Sequence, residues 1–241
     1  MSRGFAALLL GVAGSLSCAA NAAEAPEVAP FSAAEPGASL PAPWKLTTLP
    51  GISRHTRYTL VRDGNAVVLR ADAETSMAGV AHLLKLDARA YPVIEWRWKI
   101  LNLPTKSDIS TKQGDDYAAR VYVLFDYDIR KLPFSVRTRI RMARLFSSDV
   151  PLATLCYVWD GKTPAGTSVW SPYTDRVRMI VAESGAANLG KWVTIRRDVA
   201  ADFRAAFGED PPAISGVVLA TDTDNTGESA TAFYGDIQFV Q

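Results

Sequence analysis

Residues 93–101 leave the backbone little choice. Ile94, Trp96, Trp98 and Ile100 alternate with Val93, Glu95, Arg97 and Lys99. Alternation at a period of two describes a β-strand with one buried and one solvated face. Trp96 and Trp98 resemble a sugar-stacking pair, but their spacing with Ile94 and Ile100 assigns them to a core. Similar patterns recur at 57–62, 66–71, 117–125, 152–159, 168–170, 176–182, 192–197 and 230–240. Turn residues separate them, among them Asp63-Gly64-Asn65, Asp160-Gly161 and the 188–190 segment. Many short strands punctuated in this way predict a mostly β chain. The expected architecture is an antiparallel β-sandwich or jelly roll with one or two short helices.

Some segments say more. Residues 214–221 are apolar throughout, which suits a central strand, and 76–86 fit a strand or a helix equally well. Residues 198–207 read as a helix with Asp198 as N-cap and Gly208 as its stop. Strict alternation in 230–240 places Thr231, Phe233, Ile237 and Phe239 inside, and Tyr234, Asp236 and Gln238 outside.

The formal net charge of the 241 residues is +1. Bulk nucleic-acid binding is therefore not expected, since it needs a basic excess. Arg3, the apolar run 5–16 and Ala20-Asn21-Ala22 read as a cleaved secretory signal over 1–22. That reading predicts a periplasmic or secreted protein. A lipid anchor on Cys18 is the alternative, disfavoured because Ser15 stands where a lipobox carries Leu. Cleavage leaves Cys156 as the single thiol, a small buried hydrophobe by its apolar surroundings. Residues 23–43, rich in Ala and Pro, predict an extended leader ahead of one domain over 44–241. His55 and His82 are too isolated to suggest zinc.

The chemistry concentrates in 108–125 and 221–227. A polar loop ends in Gly114-Asp115-Asp116 and runs into a strand whose non-core side carries Asp116, Arg120 and Tyr122. Arg176 and Arg178, Tyr234 and Asp236, and Glu95, Arg97 and Lys99 also fall on non-core sides. On neighbouring strands these residues form one polar face. Its expected ligand contacts are Asp116, Arg120, Tyr122, Arg178, Tyr234 and Asp236, gripping a carbohydrate or another oxygen-rich molecule. The bland alternative is a ladder of cross-strand charge pairs, each worth roughly 0.2–1 kcal/mol.

In 221–227, Asp222, Asp224 and Thr226 put oxygens at alternate positions before Gly227, as in the opening of a calcium loop. Phe233 stands where an EF-hand needs its final Glu, so the remaining ligands must come from elsewhere in the chain, and Asp115 and Asp236 are the candidates. The alternative there is a turn that caps its own backbone. Asp115 or Asp116 with Asp222 or Asp224 also makes a candidate acid–base pair for a glycan-active enzyme. No Gly-x-Ser-x-Gly elbow or HExxH motif accompanies them. Finally, Val136, Ile140 and Ala143 recur at helical spacing within 130–146, surrounded by arginines. Such a basic helix either covers one end of the sheet or docks an envelope protein on a partner or an anionic membrane surface.

Through Tyr91-Pro92, Trp96-Arg97-Trp98-Lys99, Gly114-Asp115-Asp116-Tyr117 with Arg120, Asp222 to Thr226 and Tyr234-Gly235-Asp236-Ile237, the chain resembles the bacterial domain of unknown function 3047 family. The resemblance carries over no established activity. The closing strand is also similar to the end of galactose-binding-like sandwiches, which is analogy of fold and not of function.

Overall fold

A computed structural model describes residues 28–134, 137 and 152–241. The signal over 1–22 and most of the basic 130–146 stretch lie outside the described residues.

Among the described residues, twelve strands form two sheets. The five-stranded sheet runs β10 (Val193–Asp198), β5 (Val93–Ile100), β12 (Ser229–Val240), β3 (Ala66–Glu74) and β2 (Arg57–Asp63). The seven-stranded sheet runs β1 (Lys45–Thr47), β4 (Met77–Leu86), β11 (Ile214–Asp222), β6 (Arg120–Phe125), β7 (Thr154–Asp160), β9 (Thr174–Ser184) and β8 (Ser168–Ser171). All neighbours pair antiparallel except β7 and β9. The fold is a β-sandwich, as the strand pattern predicts.

Each sheet turns an apolar face inward. Ile94, Trp96, Trp98 and Ile100 of β5 are buried against Leu155, Tyr157 and Trp159 of β7 and Val217 and Leu219 of β11. Burying side chains of this size stabilises the fold by about 1.5–3 kcal/mol each. The apolar β11 is indeed interior to its sheet, between β4 and β6, and the ambiguous 76–86 segment is strand β4. An α-helix, α1, spans Val199–Phe207. Asp198 caps it by accepting from the Ala201 amide, and Gly208 ends it at a φ of 74°.

Packing begins ahead of Trp44. Val28 and Phe31 are buried in the inter-sheet core, and the Phe31 ring lies 5.0 Å from that of Trp44. The Trp44 indole donates to the Ala29 carbonyl. Residues 28–43 are therefore held on the sandwich and do not trail as a loose leader. His82 is a packed core histidine whose ring meets Trp44 edge-on, and burial lowers its pKa.

The strict alternation expected of 230–240 fails at one place. The pairing of β12 with β5 shifts between Tyr234 and Ile237, so Gly235 and Asp236 form a bulge. An extra residue in one strand reverses the facing of everything on one side of it. Ile237 and Phe239 point inward as expected, whereas Ala232 and Tyr234 take the inward positions before the bulge. Phe233 faces outward and lies beneath the Lys99 ammonium, 4.4 Å from its ring centroid.

Candidate functional site

At one end of the sandwich, β6 begins at Arg120 and its neighbour β11 ends at Asp222. The β5–β6 connection, the β11–β12 connection and the tip of the β8–β9 hairpin meet there. Arg120 is 3% exposed and organises the cluster. Its Nε donates to Asp222 Oδ1 at 2.8 Å and an Nη to Asp222 Oδ2 at 2.5 Å, a bidentate pair. Its other Nη donates to Asp115 Oδ1 at 3.1 Å, and the Asp115 carbonyl accepts from the Nη that meets Asp222. The guanidinium carbon stands 4.5 Å from the centroid of the Tyr117 ring.

Asp116 is fully buried and braces the second loop. Its carboxylate accepts from the Thr226 amide at 2.6 Å, the Asn225 amide at 3.3 Å and the Asn225 side chain at 3.1 Å. Carboxylate oxygens of Asp116, Asp222 and Asp224 all lie within 4.8 Å of one another. Ionised, Asp115, Asp116, Asp222 and Asp224 carry four negative charges against the single positive charge of Arg120. Burial accordingly pushes Asp222 up to about 7 against the opposing pull of Arg120. It also raises Asp115 and Asp224, with Asp116 adding repulsion. Two buried oxygens in this cluster, Asp224 Oδ1 and Thr226 Oγ1, have no hydrogen-bond partner among the described residues.

The loop reaches the cluster only because Gly114 lacks a side chain. A Cβ there would stand 2.6 Å from both the Cβ and the backbone nitrogen of Asp108, whose amide is itself bonded to the Gly114 carbonyl. Gly114→Ala is expected to lose about 1–3 kcal/mol of stability, the cost of overpacking against backbone. Equilibrium denaturation in urea measures it.

The six expected ligand contacts do not share one face. Asp116 and Arg120 are buried and spent on the contacts above. Tyr122 lies on the outer side of the seven-stranded sheet, half-buried over a small cluster that includes Cys156 and Val158. Arg178 is in register with Leu155, on the opposite side of that sheet, where it donates to Ser168 and lies over Trp170. The bulge turns Tyr234 inward, where its hydroxyl donates to the Ala220 carbonyl and bridges the two sheets. Asp236 accepts from the amide and hydroxyl of Ser32. Glu95 and Lys99 face out from the other sheet, in cross-strand pairs with Arg196 and Asp63. On that sheet the structural ladder is the better description.

The Asp candidates do converge. Even so, Asp116 and Asp222 are 0% and 4% exposed, and both accept hydrogen bonds that fix them. A glycosidase pair needs carboxyls that reach a substrate from opposite sides of a scissile bond. These do not. Cys156 is a buried free thiol pushed up to about 12 by its surroundings, unfit as a nucleophile.

The rim above the cluster was not legible in the residue pattern. Tyr173, 53% exposed at the tip of the β8–β9 hairpin, shares its one hydroxyl proton between Asn225 Oδ1 at 2.9 Å and the Lys112 carbonyl at 3.1 Å. Lys112 Nζ lies 5.2 Å from the centre of the same ring. The only advance sign is an aromatic residue set in the turn sequence Ser171-Pro172-Tyr173.

Residues 42–238 match the sequence model of a family described as "Protein of unknown function (DUF3047)". The chain belongs to the DUF3047 family. Every feature of the Arg120 cluster lies within the part of this DUF3047 chain that the family model spans. No curated protein matches the sequence. Among solved structures, the chain is similar to the family 11 carbohydrate-binding module of the cellulosomal cellulase Lic26A-Cel5E of Clostridium thermocellum, at 10% identity and a TM-score of 0.42. That likeness covers 90% of this chain and 94% of the other. It is also similar to the cellulose induced protein Cip1, at 10% identity and a TM-score of 0.34, over 82% and 90% of the two chains.

Proposed function

We propose that this protein is a periplasmic or secreted binding module that holds an oxygen-rich ligand, a glycan by class, at the loop end of its sandwich with the help of a divalent cation. The observation that carries this reading is the pair of buried oxygens, Asp224 Oδ1 and Thr226 Oγ1, without hydrogen-bond partners among the described residues, beside carboxylates that outnumber their one guanidinium. Buried polar atoms almost always find a partner, and exceptions mark strain, function or a missing ligand. The donor set is oxygen alone, which suits calcium and not zinc. Oxygens that ligate one calcium at 2.3–2.6 Å lie no further apart than about twice that, which fits the spacing of Asp116, Asp222 and Asp224. Tyr173 on the rim supplies an exposed aromatic face for a sugar ring beside the cation.

The test is a thermal melt with added calcium and with chelator, followed by a glycan array under both conditions. Calcium at a hundredfold excess over its Kd adds about 2.7 kcal/mol, a shift of several degrees in melting temperature. Asp224→Asn is expected to remove that shift, and Tyr173→Ala to remove glycan capture while leaving the shift intact. A melting temperature indifferent to calcium and chelator sinks the cation; glycan capture unchanged in Tyr173→Ala sinks the rim.

A further inference from the structure

The outer face of the five-stranded sheet carries a row of cations, and most are accounted for. Arg57 and Arg70 pair with Asp72, Lys99 with Asp63 and Arg196 with Glu95. Arg97 is the exception. Its guanidinium makes no close ion pair and no hydrogen bond with any described residue; its charge acts on Asp63 only from a distance, and it offers five donors in a fixed fork. It is nevertheless held in place. The side chain lies across the β12 bulge, where a Cβ on Gly235 would come within 2.5 Å of its Cγ and 2.6 Å of its Nε. Its guanidinium carbon sits 4.7 Å from the centroid of the Trp192 ring.

The surroundings are equally fixed. Trp192 Nε1 donates to Asp63 Oδ2 at 2.7 Å, and Lys99 Nζ donates to the same oxygen at 2.5 Å. The Lys99 ammonium also lies 5.2 Å from the Trp192 centroid, with only 12% of its side chain exposed. Together with Asn65 in the β2–β3 turn, these side chains line a depression of about 370 Å³. That is the lower end of the range for small-ligand clefts. Arg97 and Lys99 bring two positive charges and Asp63 one negative charge, so the site is cationic.

We infer that this depression binds the acidic sugar of a uronate-containing saccharide, with its carboxylate on Arg97 and its ring beside Trp192. A planar fork without an acceptor matches a carboxylate bidentately. An aromatic wall beside it favours a molecule with an apolar ring face over a bare anion. This site is separate from the carboxylate cluster and needs no cation.

The experiment is calorimetry in chelator with galacturonate, glucuronate and mannuronate oligomers, the methyl ester of whichever binds, and inorganic phosphate. At least one acidic oligomer is expected to bind, and its neutral ester at least about tenfold more weakly, the value of one charge-assisted hydrogen bond. Arg97→Gln is expected to lose the same factor while melting like the wild type, and Tyr173→Ala to bind normally. Binding to no acidic oligomer overturns the inference. So does equal affinity for acid and ester, phosphate binding as tightly as the saccharide, or unchanged binding by a folded Arg97→Gln. The Tyr173→Ala control separates this outcome from failure of the rim site.

Discussion

Arg120→Met is expected to destabilise the domain by about 3–5 kcal/mol, the cost of removing one partner of a buried ion pair. The side chain is 3% exposed and simultaneously meets the Asp222 carboxylate, the Asp115 carboxylate and the Asp115 carbonyl. Methionine fills much of the space but leaves Asp115 and Asp222 buried without their counter-charge. The damage should be local in origin and global in effect, because Asp222 also holds the Tyr117 amide that fixes the β5–β6 connection. A second variant isolates the charge. Combining Arg120→Met with Asp222→Asn and Asp115→Asn removes the orphaned carboxylates, so it should recover a large part of the loss. Urea denaturation of the three proteins checks this. If Arg120→Met alone loses under about 1 kcal/mol, the pairing behaves like a solvated surface bridge and the cluster is not the keystone of that end.

The sandwich was readable because strand alternation reports burial directly, and β5 shows it without exception. The site was readable only in part. Asp115, Asp116, Arg120, Asp222 and Asp224 could be marked as chemistry-bearing from residue type, and they do converge. Their burial could not be marked, since alternation says which side of a strand a residue takes and not what covers that side. Arg120 projects from the non-core side of β6, yet the loop carrying Asp115 and Tyr117 folds over it. Tyr234 and Asp236 were misplaced for a different reason. A bulge consumes one residue of register, and the Gly235-Asp236 pair that makes it looks like any strand interruption until its partner is known. Arg178 shows a third limit: two residues can occupy non-core positions on adjacent strands and still lie on opposite sides of one sheet.

In chelator, the stability contributed by the carboxylate cluster is expected to fall as pH rises from about 4.5 to 7, the reverse of the usual carboxylate behaviour and opposite in sign to the contribution of buried His82, whose pKa is lowered. The sign follows from Asp222, pushed up to about 7 in the folded protein from an ordinary value of 3.8. Below 3.8 both folded and unfolded chains hold the proton and the contribution is complete. Between the two values only the folded chain holds it, so each unit of rising pH costs at most about 1.4 kcal/mol. Past the folded value the contribution is gone. Asp115 and Asp224 are raised as well, so the proton belongs to the cluster and not to a single carboxyl. Calcium bound at the proposed site is expected to reverse the trend, because a cation needs the ionised form and must displace that proton. Its stabilising effect should therefore grow over the same interval, and the melting curves with and without calcium should diverge as pH rises. Asp222→Asn, which carries no proton to lose, should remove this fall in chelator and leave the rise contributed by His82. Wild-type and Asp222→Asn profiles that run parallel in chelator between pH 4.5 and 7 would mean that Arg120 keeps the whole cluster ionised. Stored negative charge would then no longer be an argument for a cation at this end of the sandwich.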